Sequence, residues 1–245
     1  MTNPTTTSQG EPAIAELQAA LDRLSANHGP RKVLEAGCGS MSHVRVENAY
    51  LVGIDVSEQQ LERNAKLREA IRGDIQTYAL AADEYDVIVC WDVLEHLPEP
   101  RLALRNFVRA VKPGGLIVLA VPNLFSIKGL LTKLTPHAFH VWAYRRFWGV
   151  ELAGHADRAP FRTFLKLDAA PSAVRRLART HGLAVEYFSS YESIMQRRFR
   201  ENHPLLSPAF TLADAAGRFL TLGRLRLSHT DYAMILRKPA GAPPR

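Results

Sequence analysis

Two short stretches near the N-terminus carry side chains that could bind an adenosine-containing cofactor. Gly37 and Gly39 follow an apolar run, and a Gly-x-Gly turn lets a ligand approach the backbone closely. Glu35 lies two residues before Gly37, where its carboxylate could hold the ammonium group of a ligand. Asp55 ends the next apolar run, and its carboxylate can accept hydrogen bonds from both hydroxyls of a ribose. We therefore expect a nucleoside cofactor at this turn.

A nicotinamide dinucleotide would use the same carboxylate, but the turn departs from the dinucleotide fingerprint. The third glycine of G-x-G-x-x-G would fall at position 42, which is Ser42. The segment between Gly39 and Leu51 also leaves little room for a helix that binds a pyrophosphate. Both features favour a different adenosine cofactor.

Three histidines could remove a proton from a substrate, because the ordinary pKa of imidazole lies near 6.5. His96 follows the apolar run at residues 85–90, and His137 and His140 lie in a segment rich in aromatic residues. Aromatic side chains such as Trp142 could stack on a sugar face or pack a small core. His96 could instead brace its turn, and the other two could be solvated polar groups. The sequence leaves the choice of base open.

Alternating strands and helices must position these groups. A helix that begins at Pro12 places apolar residues on one face, and Gly29-Pro30 ends it. Strands are predicted at residues 32–35, 51–55, 70–74, 85–90 and 116–121. Continuous apolar strands separated by helices are typical of a parallel sheet covered on both faces. The pattern predicts a doubly wound α/β core.

Two segments interrupt this alternation. Residues 122–170 are rich in aromatic residues, His and Arg, and residues 192–228 contain a helical stretch at 205–225. A helix at 172–181 and a strand at 183–191 separate them, and a last strand follows at 231–237. We predict one domain over residues 11–245 after a loose tail at residues 1–10, with both insertions as lids over the ligand-binding edge.

Charge and composition limit the classes of protein that need considering. Residues 1–100 carry a net charge of −8 and residues 101–245 one of +15. This basic half either aids solubility or meets an anionic partner such as a phosphorylated molecule, a membrane surface or nucleic acid. No apolar run approaches the roughly 20 residues of a membrane span, and no secretory signal is visible. Two cysteines are too few for a disulfide framework or a zinc site, so we expect a cytoplasmic protein.

The sequence resembles the class I S-adenosylmethionine (SAM)-dependent methyltransferases over roughly residues 30–122. Five motifs carry the resemblance in the family's order, at residues 33–39, 52–57, 73–75, 85–97 and 111–115. The resemblance implies a Rossmann-like, seven-stranded sheet whose last strand is antiparallel, with insertions after strands five and six. It implies cofactor contacts from Glu35, Gly37, Cys38, Gly39, Asp55, Val56, Asp74, Ile75 and Trp91. The short first crossover at residues 40–50 departs from the family and puts the shape of the methionine end of the pocket in doubt.

The expected methyl acceptor is a hydroxyl oxygen. Enzymes that methylate exocyclic amines of nucleic-acid bases carry an Asn/Asp-Pro-Pro-aromatic turn, whereas Trp91-Asp92-Val93 stands here, so we expect no DNA substrate. Methylation of pyrimidine carbon-5 needs a cysteine nucleophile, and neither Cys38 nor Cys90 is well placed for it. A hydroxyl needs in-line positioning and removal of its proton by one of the three histidines.

A second resemblance, to bacterial and particularly actinobacterial methyltransferases of polysaccharide and glycoside biosynthesis, extends over the full length. Its motifs lie at residues 73–78, 90–98, 121–123, 135–137 and 160–164. It implies an O-methyltransferase of a sugar hydroxyl, in a glycoside, oligosaccharide or polysaccharide precursor such as a mannoside.

Other interpretations stay open. The acceptor could be a lipid, quinone-like or natural-product hydroxyl, in which case residues 205–225 would form an amphipathic helix that docks on a membrane. The chain could be RNA-directed or a non-catalytic SAM-binding module, and the same helix could be a homodimer contact. Asp92 and Glu95 could assemble a magnesium site with the histidines, although no ligand spacing supports one and we assign no metal ligand.

Overall fold

The computed structural model describes residues 12–26, 31–155, 160–205, 207–223 and 226–241. The predicted tail at residues 1–10 and the predicted helix end at Gly29-Pro30 lie outside these residues. The first helix begins at Pro12, as predicted.

The strands form one seven-stranded sheet in the order β3-β2-β1-β4-β5-β7-β6. They are β1 (Arg31–Ala36), β2 (Ala49–Asp55), β3 (Glu69–Arg72), β4 (Tyr85–Trp91), β5 (Val111–Pro122), β6 (Ala184–Tyr191) and β7 (Asp231–Arg237). The first five strands pair in parallel, whereas β7 is antiparallel to both β5 and β6. This confirms the doubly wound sheet and its antiparallel last strand.

Helices cover both faces of the sheet and fill the two insertions. They are α1 (Pro12–Ser25), α2 (Glu58–Arg63), α3 (Pro100–Ala110), α4 (Ile127–Leu134), α5 (His137–Trp148), α6 (Pro171–Thr180), α7 (Ile194–Asn202) and α8 (Ser207–Leu220). The helical stretch predicted at 205–225 is therefore α8, and α7 precedes it in the same insertion. In the parts of the chain that are described, no helix is both long and apolar enough to cross a bilayer.

Strand periodicity divides the core into two layers. Along β1 and β4, Val33, Val87 and Val89 face α1, whereas Leu34 and Ile88 face the layer that contains α3 and α6. Successive side chains of a strand point to opposite faces, so a strand buried on both faces reads as a continuous apolar run. The sheet thus holds the carboxyl ends of β1, β2 and β4 at one edge, where the candidate site lies.

Candidate functional site

The glycine turn after β1 is fastened to the end of β2. The backbone N–H groups of Gly37 and Cys38 both donate to the carbonyl oxygen of Ile54, at 2.8 and 3.3 Å. Gly37 has a φ of +70°, and a Cβ atom there would lie 2.5 Å from Cγ2 of Val93. Gly39 has a φ of +53° and open space where a Cβ would be. The turn therefore excludes a side chain at Gly37, favours glycine at Gly39 and leaves its second half open to a ligand.

Asp55 is held in one orientation at the end of β2. Its Oδ2 accepts from the N–H of Gly39 and its Oδ1 from the N–H of Ser57, each at 2.9 Å. Every carboxylate oxygen has a second lone pair, so both can still accept from the hydroxyls of a ribose. Val56, the next residue, is exposed and follows the strand directly.

The residues predicted for the adenine side lie at the end of β3. The N–H of Gly73 donates to the carbonyl of Asp55, which joins the ends of β2 and β3. Asp74 Oδ1 accepts from the N–H of Gln76 at 2.9 Å, and Ile75 is buried. These backbone bonds bring Asp74 and Ile75 to the same sheet edge as the glycine turn.

Glu35 fastens the first crossover and keeps one oxygen without a partner. Its Oε1 accepts from the N–H of His43 at 3.2 Å, whereas Oε2 is buried and has no hydrogen-bond partner in the described part of the chain. Burial raises the pKa of Glu35 to about 7. The carboxylate therefore favours either a proton or a cationic ligand at this place.

Trp91 and His43 pack against each other at the same crossover. Their rings stack with centroids 5.4 Å apart, and Trp91 is buried in the layer that contains α1. The crossover contains turns and no helix, and a cavity of about 820 Å³ lies between it and α1. Sequence reasoning did not find His43, because nothing in the local pattern shows that its ring covers Trp91.

The turn after β4 presents His96 in one tautomer. Nδ1 of His96 lies 2.9 Å from the carbonyl oxygen of Arg162. Since a carbonyl can only accept, Nδ1 carries the proton and Nε2 is left as the basic nitrogen. Burial lowers the pKa of His96, so the ring is neutral at physiological pH. A neutral imidazole with a defined basic nitrogen can act as a general base.

Four ionisable groups surround this turn. Asp92 and Glu95 come from the turn itself, Lys128 from α4 and Asp231 from the start of β7, and Lys128 Nζ lies 3.7 Å from Asp231 Oδ1. Burial raises the pKa of Glu95 to about 8. The nearby carboxylates, Asp231 first, raise the pKa of Lys128, which therefore stays protonated. Neither Lys128 nor Asp231 was a candidate from sequence, because they meet only in the folded chain.

The other two candidate bases lie on α5, in the first insertion. The Thr135 hydroxyl donates to the carbonyl of Leu131 and so accepts from Nε2 of His140, at 2.7 Å in each case. His137 is exposed, with its ring 6.2 Å from that of His140. The fold pairs these two histidines with each other, and His96 belongs to the separate turn after β4.

The magnesium expectation finds no support in this cluster. Within the described ranges, no three His, Cys, Asp or Glu side chains are arranged to hold a metal ion. The acidic groups around His96 therefore do not fit a magnesium site, and Lys128 is the cation placed among them.

Comparison with known proteins identifies the family. Residues 10–186 match the family described as a methyltransferase domain. This chain belongs to the class I SAM-dependent methyltransferases. The methyltransferase is 33% identical over 130 residues to the ubiquinone biosynthesis O-methyltransferase of Vibrio vulnificus, covering 45% of this chain and 55% of that protein. It thus spans about half the length of the curated relatives that it matches.

Solved structures of low sequence identity share the fold of this methyltransferase. Phosphoethanolamine N-methyltransferase 2 of Haemonchus contortus, in complex with SAM, superposes with a TM-score of 0.56 at 16% identity, covering 92% of this chain and 52% of that one. A SAM-dependent methyltransferase of Mesorhizobium loti gives 0.53 at 16% identity, with 94% and 99% covered. These findings confirm the predicted family and cofactor. The resemblance to actinobacterial methyltransferases of polysaccharide and glycoside biosynthesis stays a prediction.

Proposed function

We propose that this methyltransferase transfers the methyl group of SAM to a hydroxyl oxygen of a small molecule, with His96 as the general base. The observation that carries the proposal is the hydrogen bond from His96 Nδ1 to the carbonyl of Arg162, which leaves Nε2 basic. The turn of His96 also packs directly on the cofactor turn, since Val93 fills the space above Gly37.

The residues at the sheet edge fit the cofactor. Asp55 would bind the ribose hydroxyls, and the partnerless buried oxygen of Glu35 would bind the ammonium group. Asp74 and Ile75 would lie on the adenine side, and a Cβ atom at Gly39 would meet nothing within 4 Å. When bound, SAM supplies an activated methyl group on a sulfonium.

The residues of this chain would position the acceptor and remove the proton of its hydroxyl group. Nε2 of His96 would take the hydroxyl proton of the acceptor. Oε1 of Glu95 lies 3.7 Å from Nε2, but because burial raises the pKa of Glu95 to about 8, this carboxyl would stabilise the imidazolium mainly at alkaline pH. The ammonium of Lys128 opposes the rise in the pKa of Glu95 without cancelling it. These roles need no residue from α5.

For the acceptor we favour a quinone-like or other apolar hydroxyl compound. The relatives named ubiquinone biosynthesis O-methyltransferase support this class. The insertions support it as well, because they expose large apolar side chains: Leu130, Leu131, Leu134, Phe139, Trp142, Phe147, Leu152, Leu205, Leu212, Phe219, Leu220 and Leu222. Exposed apolar groups beside arginines are typical of a surface that contacts a membrane or an apolar ligand.

A sugar hydroxyl is the second candidate. The tilted aromatic pair Phe139–Trp142 on α5, with ring centroids 5.4 Å apart and both rings exposed, offers a face on which a sugar could stack. The single-domain boundaries, the cytoplasmic location, the homodimer contact and the RNA-directed or non-catalytic alternative also stay predictions.

The test uses SAM with a trideuterated methyl group. The protein is incubated with three acceptor pools, namely a lipid and quinol extract, oligosaccharides with glycosides, and total RNA, and mass spectrometry locates the label. Label on a quinol or lipid hydroxyl is the expected result. Label on a saccharide would show that the acceptor is a sugar hydroxyl, the second candidate. Label on RNA or on nitrogen would contradict the proposal.

A further inference from the structure

Part of the positive charge of the C-terminal half gathers in a groove that the transfer reaction does not use. The groove runs between α3 and α6 and encloses a cavity of about 180 Å³. Leu104 of α3 and Leu177 of α6 supply its apolar lining. The polar residues around the cavity are Arg101, Arg105, Asp168, Arg176, Thr180 and His181.

Among the residues that the structure describes, two of the three guanidinium groups in this groove have no counter-charge. Nη2 of Arg101 donates to Oδ1 of Asp168 at 2.7 Å, so this pair is neutral overall. Neither Arg105 nor Arg176 makes a side-chain hydrogen bond or ion pair with any residue of the described ranges. The cavity is therefore lined by two unbalanced positive charges.

Such an arrangement favours an anion. Like charges that face one cavity repel each other, and an anion bound between them removes the repulsion. Guanidinium groups match phosphate oxygens with two parallel hydrogen bonds, and a nearby apolar surface strengthens those bonds. Sites for drug-sized ligands have volumes of about 300–1,000 Å³. A cavity of about 180 Å³ suits one phosphate group better than a whole nucleotide.

We propose that the groove between α3 and α6 is a phosphate-binding site in which Arg105 and Arg176 hold the phosphate group of a soluble molecule or of a lipid headgroup. The Arg101–Asp168 pair borders the site and fixes the start of α6 relative to α3. None of the residues proposed for methyl transfer lines this cavity. The site is therefore independent of the acceptor.

The first test is a titration of the full chain with inorganic pyrophosphate, followed by the amide NMR signals of α3 and α6. We expect saturable shifts on these two helices. Arg105→Gln and Arg176→Gln should each weaken binding about tenfold, the effect of losing a charge-assisted hydrogen bond. Arg105→Lys keeps the positive charge but not the planar guanidinium group, so it should lose less affinity for pyrophosphate. Arg179→Gln is the matched control, because Arg179 is exposed on α6 but does not line the cavity.

A second arm separates the two sources of phosphate. Phosphatidylcholine vesicles are compared with vesicles that also contain phosphatidic acid, in flotation with the same variants. If pyrophosphate binds saturably, the ligand is a soluble molecule. If pyrophosphate does not bind but vesicles bind in a way that depends on Arg105 and Arg176, the ligand is a lipid headgroup. The proposal is overturned if neither probe binds in a way that depends on these arginines, or if Arg179→Gln loses as much affinity as Arg105→Gln.

Discussion

Val93 lies directly over Gly37, so that the turn after β4 and the cofactor turn after β1 are in contact. A Cβ atom on Gly37 would come within 2.5 Å of Val93, whereas one on Gly39 would meet nothing within 4 Å. The position of the turn that carries His96 therefore depends on the absence of a side chain at Gly37. The two glycines also differ in what a substitution would disturb.

Gly37→Ala should therefore destabilise the apoprotein, and Gly39→Ala should mainly weaken cofactor binding. At Gly37 the positive φ and the clash with Val93 together cost about 2–4 kcal/mol of unfolding free energy. At Gly39 the backbone strain alone costs about 1 kcal/mol, but the new methyl group enters the open side of the turn. Urea unfolding and calorimetric titration with SAM measure the two effects. Equal unfolding free energies for both variants would show that Val93 does not constrain the turn.

His96→Gln should lower turnover by about 10²–10⁴-fold and leave SAM affinity unchanged, because a general base contributes that factor. His140→Gln should change turnover less than threefold, roughly, since Nε2 of His140 is already engaged by Thr135. Turnover is measured with whichever acceptor carries the label. A larger loss in His140→Gln than in His96→Gln would transfer the role of base to α5.

Glu35 should make the apoprotein less stable at alkaline pH. Burial raises the pKa of Glu35 from 4.5 to about 7, so the folded chain holds this proton more tightly than the unfolded chain. The free energy of unfolding should fall as pH rises from about 4.5 to about 7, by on the order of 3 kcal/mol. Glu35→Gln should remove this fall and bind SAM more weakly. Urea unfolding at pH 5 and pH 8 compares the two proteins, and parallel pH profiles would exclude Glu35 as the source.

Lys128→Met should destabilise the protein by about 1–3 kcal/mol, because it leaves the buried carboxylate of Asp231 without its cation. The figure stays below that of a fully buried pair, since the Lys128 side chain is 38% exposed. Asp231→Asn in the same chain should restore part of the loss. A double-mutant cycle of unfolding free energies measures the coupling, and additive effects would mean that the pair does not interact.

The insertions should bind vesicles that contain anionic lipid. Leu134→Gln with Phe219→Gln should reduce flotation with such vesicles, because both side chains are more than three-quarters exposed, at 80% and 84%. Val185→Gln, at an exposed position of β6, is the control for a lost apolar side chain outside the insertions. Equal flotation of the control and the double variant would contradict membrane contact through α4 and α8.

Local patterns in the sequence were sufficient for the sheet and for the position of the glycine turn after β1. The run at residues 85–90 became β4, and β7 has the predicted bounds Asp231–Arg237. Ser57 caps α2 by accepting from the N–H of Gln60, as its spacing from Gln60 predicts. These features depend on residues that are close in sequence, so periodicity and turn chemistry reveal them.

Only the tertiary structure decided which groups surround His96. The tautomer of His96 depends on the carbonyl of Arg162, and Lys128 meets Asp231 across two segments that are far apart in the chain. Hydrogen bonds and ion pairs of this kind produce no periodic pattern in a sequence, because they form between segments that meet only in the folded chain. The sequence alone determined the family, the sheet and the cofactor; packing between distant segments determined the charges around the proposed base.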